Sequence, residues 1–408
     1  LNDPKPRGAA IAFIFITVAL DVLAIGLIIP VLPGLIAQFY GGNVASAAST
    51  VGWFGTLFAL IQFVSMPILG TLSDRFGRRP IVLLSNFGLG IDYLIMALAP
   101  TLWVLLVGRV IAGFFSASIS TAFAYIADVT APEKRAGAYG LLGAAFGLGF
   151  VIGPAAGGIL GEIDIRLPFW VAATLSLCNF CYGFFVLPES LPKALRSPFT
   201  WAKANPIGSF KFLWRNPSML RLASVQFMSQ LAHVVLPATF VLYAGYRYGW
   251  DVKTIGFTLA AVGVCSALVQ GVLVKRVVAK IGESRTLIMG LSFGAIGFAA
   301  YGFAPSGVWF WASVPLMALW GLTGPSLQSL LSRLCEPTQQ GQLQGALGSL
   351  TSLGGIIGPF LFANVFAFGI AHHGNFYQPG LAFLLASLIL LGAAIVAFGN
   401  RSQRDLAA

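Results

Sequence analysis

The chain predicts an all-α integral membrane protein, with twelve transmembrane helices arranged as two six-helix bundles. Three observations carry that expectation. Of the 408 residues, 57% are hydrophobic and only 9% charged, a balance that no soluble domain of this length shows. Apolar runs of about 20 residues, the length of a bilayer-crossing helix, recur along the whole chain. Finally, the two halves share residues at one fixed offset of 205 positions.

Taken in order, the predicted spans are 9–32, 48–70, 80–98, 102–126, 137–160 and 168–187, then 218–242, 253–274, 286–304, 309–330, 343–370 and 379–398. The first is a membrane helix rather than a cleaved leader: Asp21 interrupts its apolar run, and Pro30 and Pro33 follow where small residues would precede a cleavage site. The longest connection, 188–217, carries the amphipathic stretch Trp201 to Trp214, suited to a membrane surface. It separates an N-terminal bundle, 1–187, from a C-terminal bundle, 218–408. The repeat crosses that boundary. Gly140, Gly143, Gly149, Gly153 and Pro154 in the fifth span match Gly345, Gly348, Gly354, Gly358 and Pro359 in the eleventh. Pro132 matches Pro337, and Gly77 matches Gly282. Two parallel repeats related by an axis along the membrane normal place function between the halves near the midplane.

The net charge of +11 belongs to the membrane rather than to a nucleic acid. Of the 24 Lys and Arg residues, Arg166, Arg247 and Lys253 fall in or beside odd-numbered loops and Arg109 lies within a helix. The others lie at the termini or by even-numbered loops, so the positive-inside rule puts both termini in the cytoplasm. Cys178-x-x-Cys181 has redox spacing but sits in a membrane span, and Cys265 and Cys335 imply no disulfide framework or metal site. The paired His372 and His373 belong to a solvated loop.

Two segments carry motifs. The connection after the second span reads Gly70-Thr-Leu-Ser-Asp74-Arg75-Phe-Gly77-Arg78-Arg79-Pro80. Gly70 permits close helix approach, and Gly77 a tight turn. Asp74 can serve as an anion at a neighbouring helix N-terminus. Arg75, Arg78 and Arg79 can pair with Asp128 at the end of the fourth span. In the fifth span, Gly149, Gly153 and Gly157 recur at i, i+4, i+8 on one smooth face, with Pro154 removing a backbone donor.

The Gly70–Pro80 segment resembles the signature loop of the major facilitator superfamily. That resemblance implies a cytoplasmic gate of Gly70, Asp74, Arg75, Gly77, Arg78 and Asp128. The Gly149, Gly153, Pro154, Gly157 face resembles the antiporter motif of drug/proton exchangers. Leu20-Asp21 through Pro33, Gln62, Ile91-Asp92-Tyr93-Leu94, Gly108-Arg109, Ile126-Ala127-Asp128 and Gln344 through Pro359 are similar to the tetracycline/proton antiporter group. The resemblance covers most of the first half and parts of the second. Tetracycline exporters of that group carry a histidine in the eighth helix and an acid in the ninth; this chain has Ser266 and Gly294 at those places.

Asp21, Asp92 and Arg109 are ionisable residues inside membrane spans, where a charge costs roughly 3 kcal/mol or more and marks function by default. At 1.5 Å of rise per residue, both acids lie about 18 Å from the cytoplasmic ends of their helices and Arg109 about 25 Å from its own. A carboxyl in a low-dielectric cavity can load and unload a proton near neutral pH. Asp21 or Asp92 would then carry the proton and Arg109 would hold the other acid ionised. On the seventh span, Gln226, Gln230 and His233 follow i, i+4, i+7 and share one face, with Gln226 in the repeat position of Asp21. That face would line a substrate cavity with Gln62, Ser266, Gln270 and Gln328, and His233 could itself titrate.

The expected activity is secondary active transport: proton-coupled export of an amphipathic, tetracycline-like or broader drug-like compound by alternating access. The chain would work as a monomer in a bacterial cytoplasmic (inner) membrane, driven by the proton gradient with no cofactor. A proton-coupled uptake symporter on the same fold and, in another class, a non-transporting membrane receptor are the alternatives. Nothing in the sequence points to an enzyme: no metal-ligand cluster, paired nucleophile and base, or phosphate loop is present.

Overall fold

The computed structural model describes residues 7–130, 135–196, 198–199, 213, 216–334, 340–371 and 378–405, and among these every regular element is helical. The amphipathic stretch of 201–214 lies almost wholly outside the described residues, as do His372, His373 and Cys335.

The first half contains α1 (Arg7–Ile28), the short α2 (Leu32–Phe39), α3 (Val44–Phe76), α4 (Arg78–Leu98), α5 (Leu102–Phe115), α6 (Ser118–Val129), α7 (Arg135–Ile163) and α8 (Leu167–Val186). The second contains α9 (Pro217–His233), α10 (Val235–Tyr248), α11 (Val252–Leu268), α12 (Val274–Ile281), α13 (Glu283–Phe303), α14 (Gly307–Ala318), α15 (Thr323–Ser332), α16 (Gln340–Ala371) and α17 (Leu381–Asp405). Among the described residues, eleven helical stretches are long and apolar enough to cross a membrane. The predicted tenth span is present but broken, with a 3-10 turn at Leu319–Leu322 separating α14 from α15. Pro315 lies one turn before that break and removes a helical donor. The predicted seventh span also breaks, between His233 and Val235. The eighth continues from α11 to α12 through a π-turn at Val269–Leu273.

The same pairings recur in both halves. Helix α1 packs on α7 and α8, and α4 packs on α8. Correspondingly, α9 packs on α16 and α17, and α13 packs on α17. Helices α5 and α6 lie against α4, as α14 and α15 lie against α13.

By contact, the chain resolves into two compact units. One comprises Leu1–Leu35, Leu57–Asn205 and Asp251–Ala260; the other comprises Ile36–Thr56, Pro206–Trp250 and Ala261–Ala408. Two short segments are thus gathered with the other half of the sequence. In the first unit, the start of α11 meets α7: a Cβ on Gly256 would stand 2.3 Å from the Pro154 carbonyl oxygen and 3.0 Å from Gly158 Cα. Lys253 forms an ion pair with Glu162 at 3.3 Å beside that contact. In the second unit, the N-terminal part of α3 meets α16. Thr56 Oγ1 donates to the Ile356 carbonyl at 2.8 Å, Ser49 Oγ donates to Asn364 Oδ1 at 3.1 Å, and Gly52 lies against Pro359 and Ala363.

The α7 glycines form a seam with α1. A Cβ on Gly149 would stand 2.7 Å from Val22 Cγ1, on Gly153 2.7 Å from Gly26 Cα, and on Gly157 2.1 Å from the Leu27 carbonyl oxygen. Backbone meets backbone at the last two positions, so an added methyl has no flexible side chain to displace. Gly157→Ala should therefore destabilise by about 1–3 kcal/mol through overpacking. Gly147, on the same helix with nothing within 4 Å, is the control. Thermal unfolding of the purified protein should show a lowered midpoint for Gly157→Ala and an unchanged or raised one for Gly147→Ala.

Candidate functional site

In the first unit the ionisable residues separate into two arrangements. Asp21, on α1, is 1% exposed and has no ion-pair partner among the described residues. Its neighbours are neutral. Asn179 Nδ2, from α8, donates to Asp21 Oδ1 at 2.9 Å and to the Thr17 carbonyl at 2.9 Å. Asn86, from α4, places its amide nitrogen 3.1 Å from Asp21 Oδ2 and 3.2 Å from Oδ1, while its oxygen accepts from Asn179 Nδ2 at 3.1 Å. Ser118, from the start of α6, stands beside the same carboxyl. Four helices thus converge on one carboxyl group.

Asp92 has a different partner. Arg109 Nη2 donates to Asp92 Oδ2 in a salt bridge whose acid is fully buried. The guanidinium also lies over the Phe58 ring, 5.7 Å from its centroid. Gly108 makes the pairing possible, because a Cβ there would stand 2.7 Å from Asp92 Oδ1. Gln62 is half-buried on α3.

At the turn between α3 and α4, Arg78 is the hub. Its Nη1 donates to Asp74 Oδ1 at 2.6 Å and to Ser73 Oγ at 3.1 Å, and its Nε donates to Asp128 Oδ2 at 3.0 Å. Ser190 Oγ donates to the same Asp128 oxygen at 2.9 Å. The other two arginines depart from expectation: Arg75 lies over the Phe76 ring, and Arg79 donates to the Phe184 carbonyl. Nor is Asp74 the anion at a helix N-terminus. Glu189 takes that place, accepting from the Arg78 backbone N–H at 2.8 Å. Gly77 has φ of 110°, and a Cβ on it would strike the Glu189 carboxylate, so both backbone and neighbours demand glycine. Among the described residues nothing lies within 4 Å of a Cβ built on Gly70.

The second unit carries a charge-reversed counterpart. Arg333 Nη2 donates to Glu283 Oε1 at 2.7 Å, and Ser329 Oγ donates to the same oxygen at 2.7 Å. Glu283 and Arg333 stand 205 residues after Arg78 and Asp128, respectively. The equivalent turn again uses a left-handed glycine, Gly282 at φ 80°.

Gln226, Gln230 and His233 all lie on α9, the glutamines half-buried and His233 exposed at the helix end. Gly354 of α16 faces Gln230, with Cγ 3.3 Å from a Cβ built on that glycine. The His233 ring lies 5.6 Å from that of Trp320, within the 3-10 turn. Gln270, in the π-turn, packs on Gly321 of that same 3-10 turn, with Cγ 3.4 Å from a Cβ built there. Single π-turns inside helices occur frequently at functional sites. The 3-10 turn thus meets His233 through Trp320 and Gln270 through Gly321. Ser266 is half-buried on α11, and Gln328 is exposed on α15. At Gly294 a Cβ would stand 2.7 Å from Leu390 Cδ1 and 2.8 Å from Trp320 Cγ, which leaves no room for an acidic side chain.

Sequence reasoning missed Asn86, Ser118, Asn179, Glu189 and Trp320. The two asparagines had a legible signal, because an amide inside an apolar span needs a partner.

A family model described as Major Facilitator Superfamily matches residues 14–359. The class C tetracycline resistance protein of Escherichia coli is 41% identical over 361 residues, covering 88% of this chain and 90% of that protein. The class H tetracycline resistance protein of Pasteurella multocida is 34% identical over 401 residues, covering 97% of each. Among solved structures, the human organic anion transporter MFSD10 superposes with a TM-score of 0.71 at 23% identity, covering 97% of this chain and 100% of that one. With a matching family model across most of its length, relatives at these identities and a shared all-helical architecture, the chain belongs to the major facilitator superfamily of membrane transporters.

Proposed function

We propose that this protein is a proton-coupled antiporter that exports an amphipathic, tetracycline-like drug by alternating access. One observation carries the reading: of the two acids buried within the first unit's helices, Asp92 is neutralised by Arg109 while Asp21 is surrounded by neutral groups. A buried carboxyl without a countercharge is the one free to exchange a proton. The similarity to tetracycline resistance proteins supplies the substrate class.

In this scheme Asp21 carries the proton and Arg109 keeps Asp92 ionised. A proton entering from outside neutralises Asp21 and releases the drug; its departure to the cytoplasm readies the site again. Gln62 contributes from the first half. Gln226, Gln230, His233, Ser266, Gln270 and Gln328 supply the polar wall of the second. The Asp74–Arg78–Asp128 network, with Gly77 shaping its turn, is the cytoplasmic latch, and the Gly149, Gly153, Pro154, Gly157 face, packed on α1 of the same bundle, keeps that bundle rigid during the cycle. The moving parts are 1–187 and 218–408, joined by 188–217. Both termini are cytoplasmic, the protein works as a monomer in a bacterial inner membrane, and the proton gradient supplies the energy.

The direct test is drug-driven proton movement in proteoliposomes carrying a pH gradient, with tetracyclines and unrelated amphipathic drugs as substrates. Wild type should release protons on drug addition and Asp21→Asn should not; equal signals from both would overturn the assignment of Asp21. Asp92→Asn leaves Arg109 as a lone buried charge and should cost about 3–5 kcal/mol. A lowered thermal midpoint would show this, and the double variant Asp92→Asn, Arg109→Gln should regain most of the loss. Arg78→Ala leaves two acids facing one another. It should slow transport about tenfold, the equivalent of one lost charge-assisted hydrogen bond, while equilibrium drug binding, read by fluorescence titration, stays near wild type.

A further inference from the structure

Helices α4 and α8 form an open groove of about 310 Å³, lined by Pro80, Leu83, Leu84 and Phe87 from α4 and by Phe180 and Phe184 from α8. The α4 residues sit at i, i+3, i+4 and i+7 and the phenylalanines at i, i+4, so each helix contributes one stripe. Leu84, Phe87 and Phe184 are exposed. Close packing makes the floor, since a Cβ on Gly183 would stand 2.9 Å from Leu83 Cδ2. The Phe87 and Phe180 rings, 5.3 Å apart, stand at the end away from the α3–α4 turn. At the other end is Arg79, whose Nη2 donates to the Phe184 carbonyl and whose guanidinium lies 5.9 Å from the Phe184 ring centroid. Its Nε is buried without a partner, and no acid pairs with it among the described residues. The acids of the turn are engaged elsewhere: Asp74 and Asp128 with Arg78, and Glu189 with the Arg78 N–H and, at 3.9 Å, with Arg196. A cation with a spare donor therefore stands at the mouth of an apolar groove. The second half lacks this combination. Ser292, Leu385 and Ile389 hold the repeat positions of Phe87, Phe180 and Phe184, and Ser284 that of Arg79.

We propose that this groove binds one anionic phospholipid from the leaflet bordering the α3–α4 turn, with an acyl chain along the two stripes and the phosphate on Arg79. The chain belongs to a family of membrane transporters, so an exposed apolar groove between two spans meets lipid. Hydrocarbon alone would fill the stripes and leave the Arg79 donor unsatisfied, and buried polar atoms are rarely left so. A phosphate supplies what is missing: guanidinium donors match phosphate oxygens in geometry and charge. Basic pockets between membrane helices recognise anionic headgroups in this way. Arg75, exposed at the end of α3 and also without an acid partner among the described residues, adds positive potential beside the same turn. A zwitterionic lipid fits the groove equally well but brings its own ammonium toward these arginines, so a net negative headgroup is preferred. The site is independent of the proton and drug chemistry at Asp21.

The experiment is native mass spectrometry of the full-length protein titrated with dioleoyl phosphatidylglycerol or dioleoyl phosphatidylethanolamine. It is paired with photo-crosslinking by a phosphatidylglycerol that carries a diazirine in its acyl chain. Wild type should retain one phosphatidylglycerol, about tenfold more tightly than phosphatidylethanolamine. Arg79→Gln should weaken phosphatidylglycerol about tenfold, the loss of one charge-assisted contact, and leave phosphatidylethanolamine nearly unchanged. Phe184→Ala should weaken both lipids. Arg285→Gln, at an exposed arginine of the equivalent second-half turn, should change neither. In wild type the crosslinks should concentrate between Pro80 and Phe87 and between Phe180 and Phe184. Equal retention of the two lipids, unchanged phosphatidylglycerol binding in Arg79→Gln, or crosslinks spread evenly over the exposed helices would overturn the proposal. A dimer that Phe184→Ala splits would put a second copy of the chain in the groove and overturn it as well. Crosslink mapping needs only wild type, so it decides even where a variant fails to fold.

Discussion

A carboxyl group held without a countercharge inside an apolar bundle dictates much of the architecture around it. Water cannot satisfy Asp21 at that depth, so protein groups must, and they come from three other helices. Helices α4, α6 and α8 therefore gather around one point on α1, while α1 also packs on α7 along a glycine seam where backbones touch. Asp92 solves the same problem by a countercharge, and needs a glycine at 108 to make room for it. One bundle therefore contains two solutions to one desolvation cost: an ion pair, and a set of neutral hydrogen-bonding groups.

The two halves keep the same helix pairings but have diverged in chemistry. The position of Asp21 is taken by Gln226, an amide that cannot ionise. Both halves break at matching places, after Ile28 and Phe115 in the first as after His233 and Ala318 in the second, and the second adds a π-turn around Gln270. Contacts of His233 and Gln270 with the 3-10 turn join the three irregularities of the second half. The packing around Gly294 is a further point of divergence. Trp320 and Leu390 fill the space that an acid would need, so an aromatic surface stands where a second charge would otherwise lie.

Most of the architecture was legible in the sequence, because twenty-residue apolar runs have few alternatives and the repeat at 205 positions survives in glycines and prolines that packing needs. The meeting of Arg78, Asp74 and Asp128 was legible as well, through a loop whose residue types are hard to explain otherwise. The Asp21 cluster was legible only as a lone acid. Its asparagine partners are far away along the chain, and an isolated amide in an apolar run does not say where it points. Glu189 was hidden for a similar reason, as one acid in a connection with no periodicity. The break before α15 could be suspected from Pro315, Gly321, Gly324 and Pro325, but its contact with His233 depends on tertiary packing alone.

The reversed polarity of the two turn networks sets a limit on how the chain can assemble. Arg78 bonds Asp128 in one half, and Glu283 bonds Arg333 at the equivalent places in the other. Duplicated segments of such similar pattern could exchange partners during insertion, α4 seeking the helix meant for α13. The exchange would bring arginine to arginine and glutamate to aspartate, a like-charge juxtaposition that penalises the wrong pairing. A single inversion of sign thus makes each network complementary within its own half and mismatched with the other.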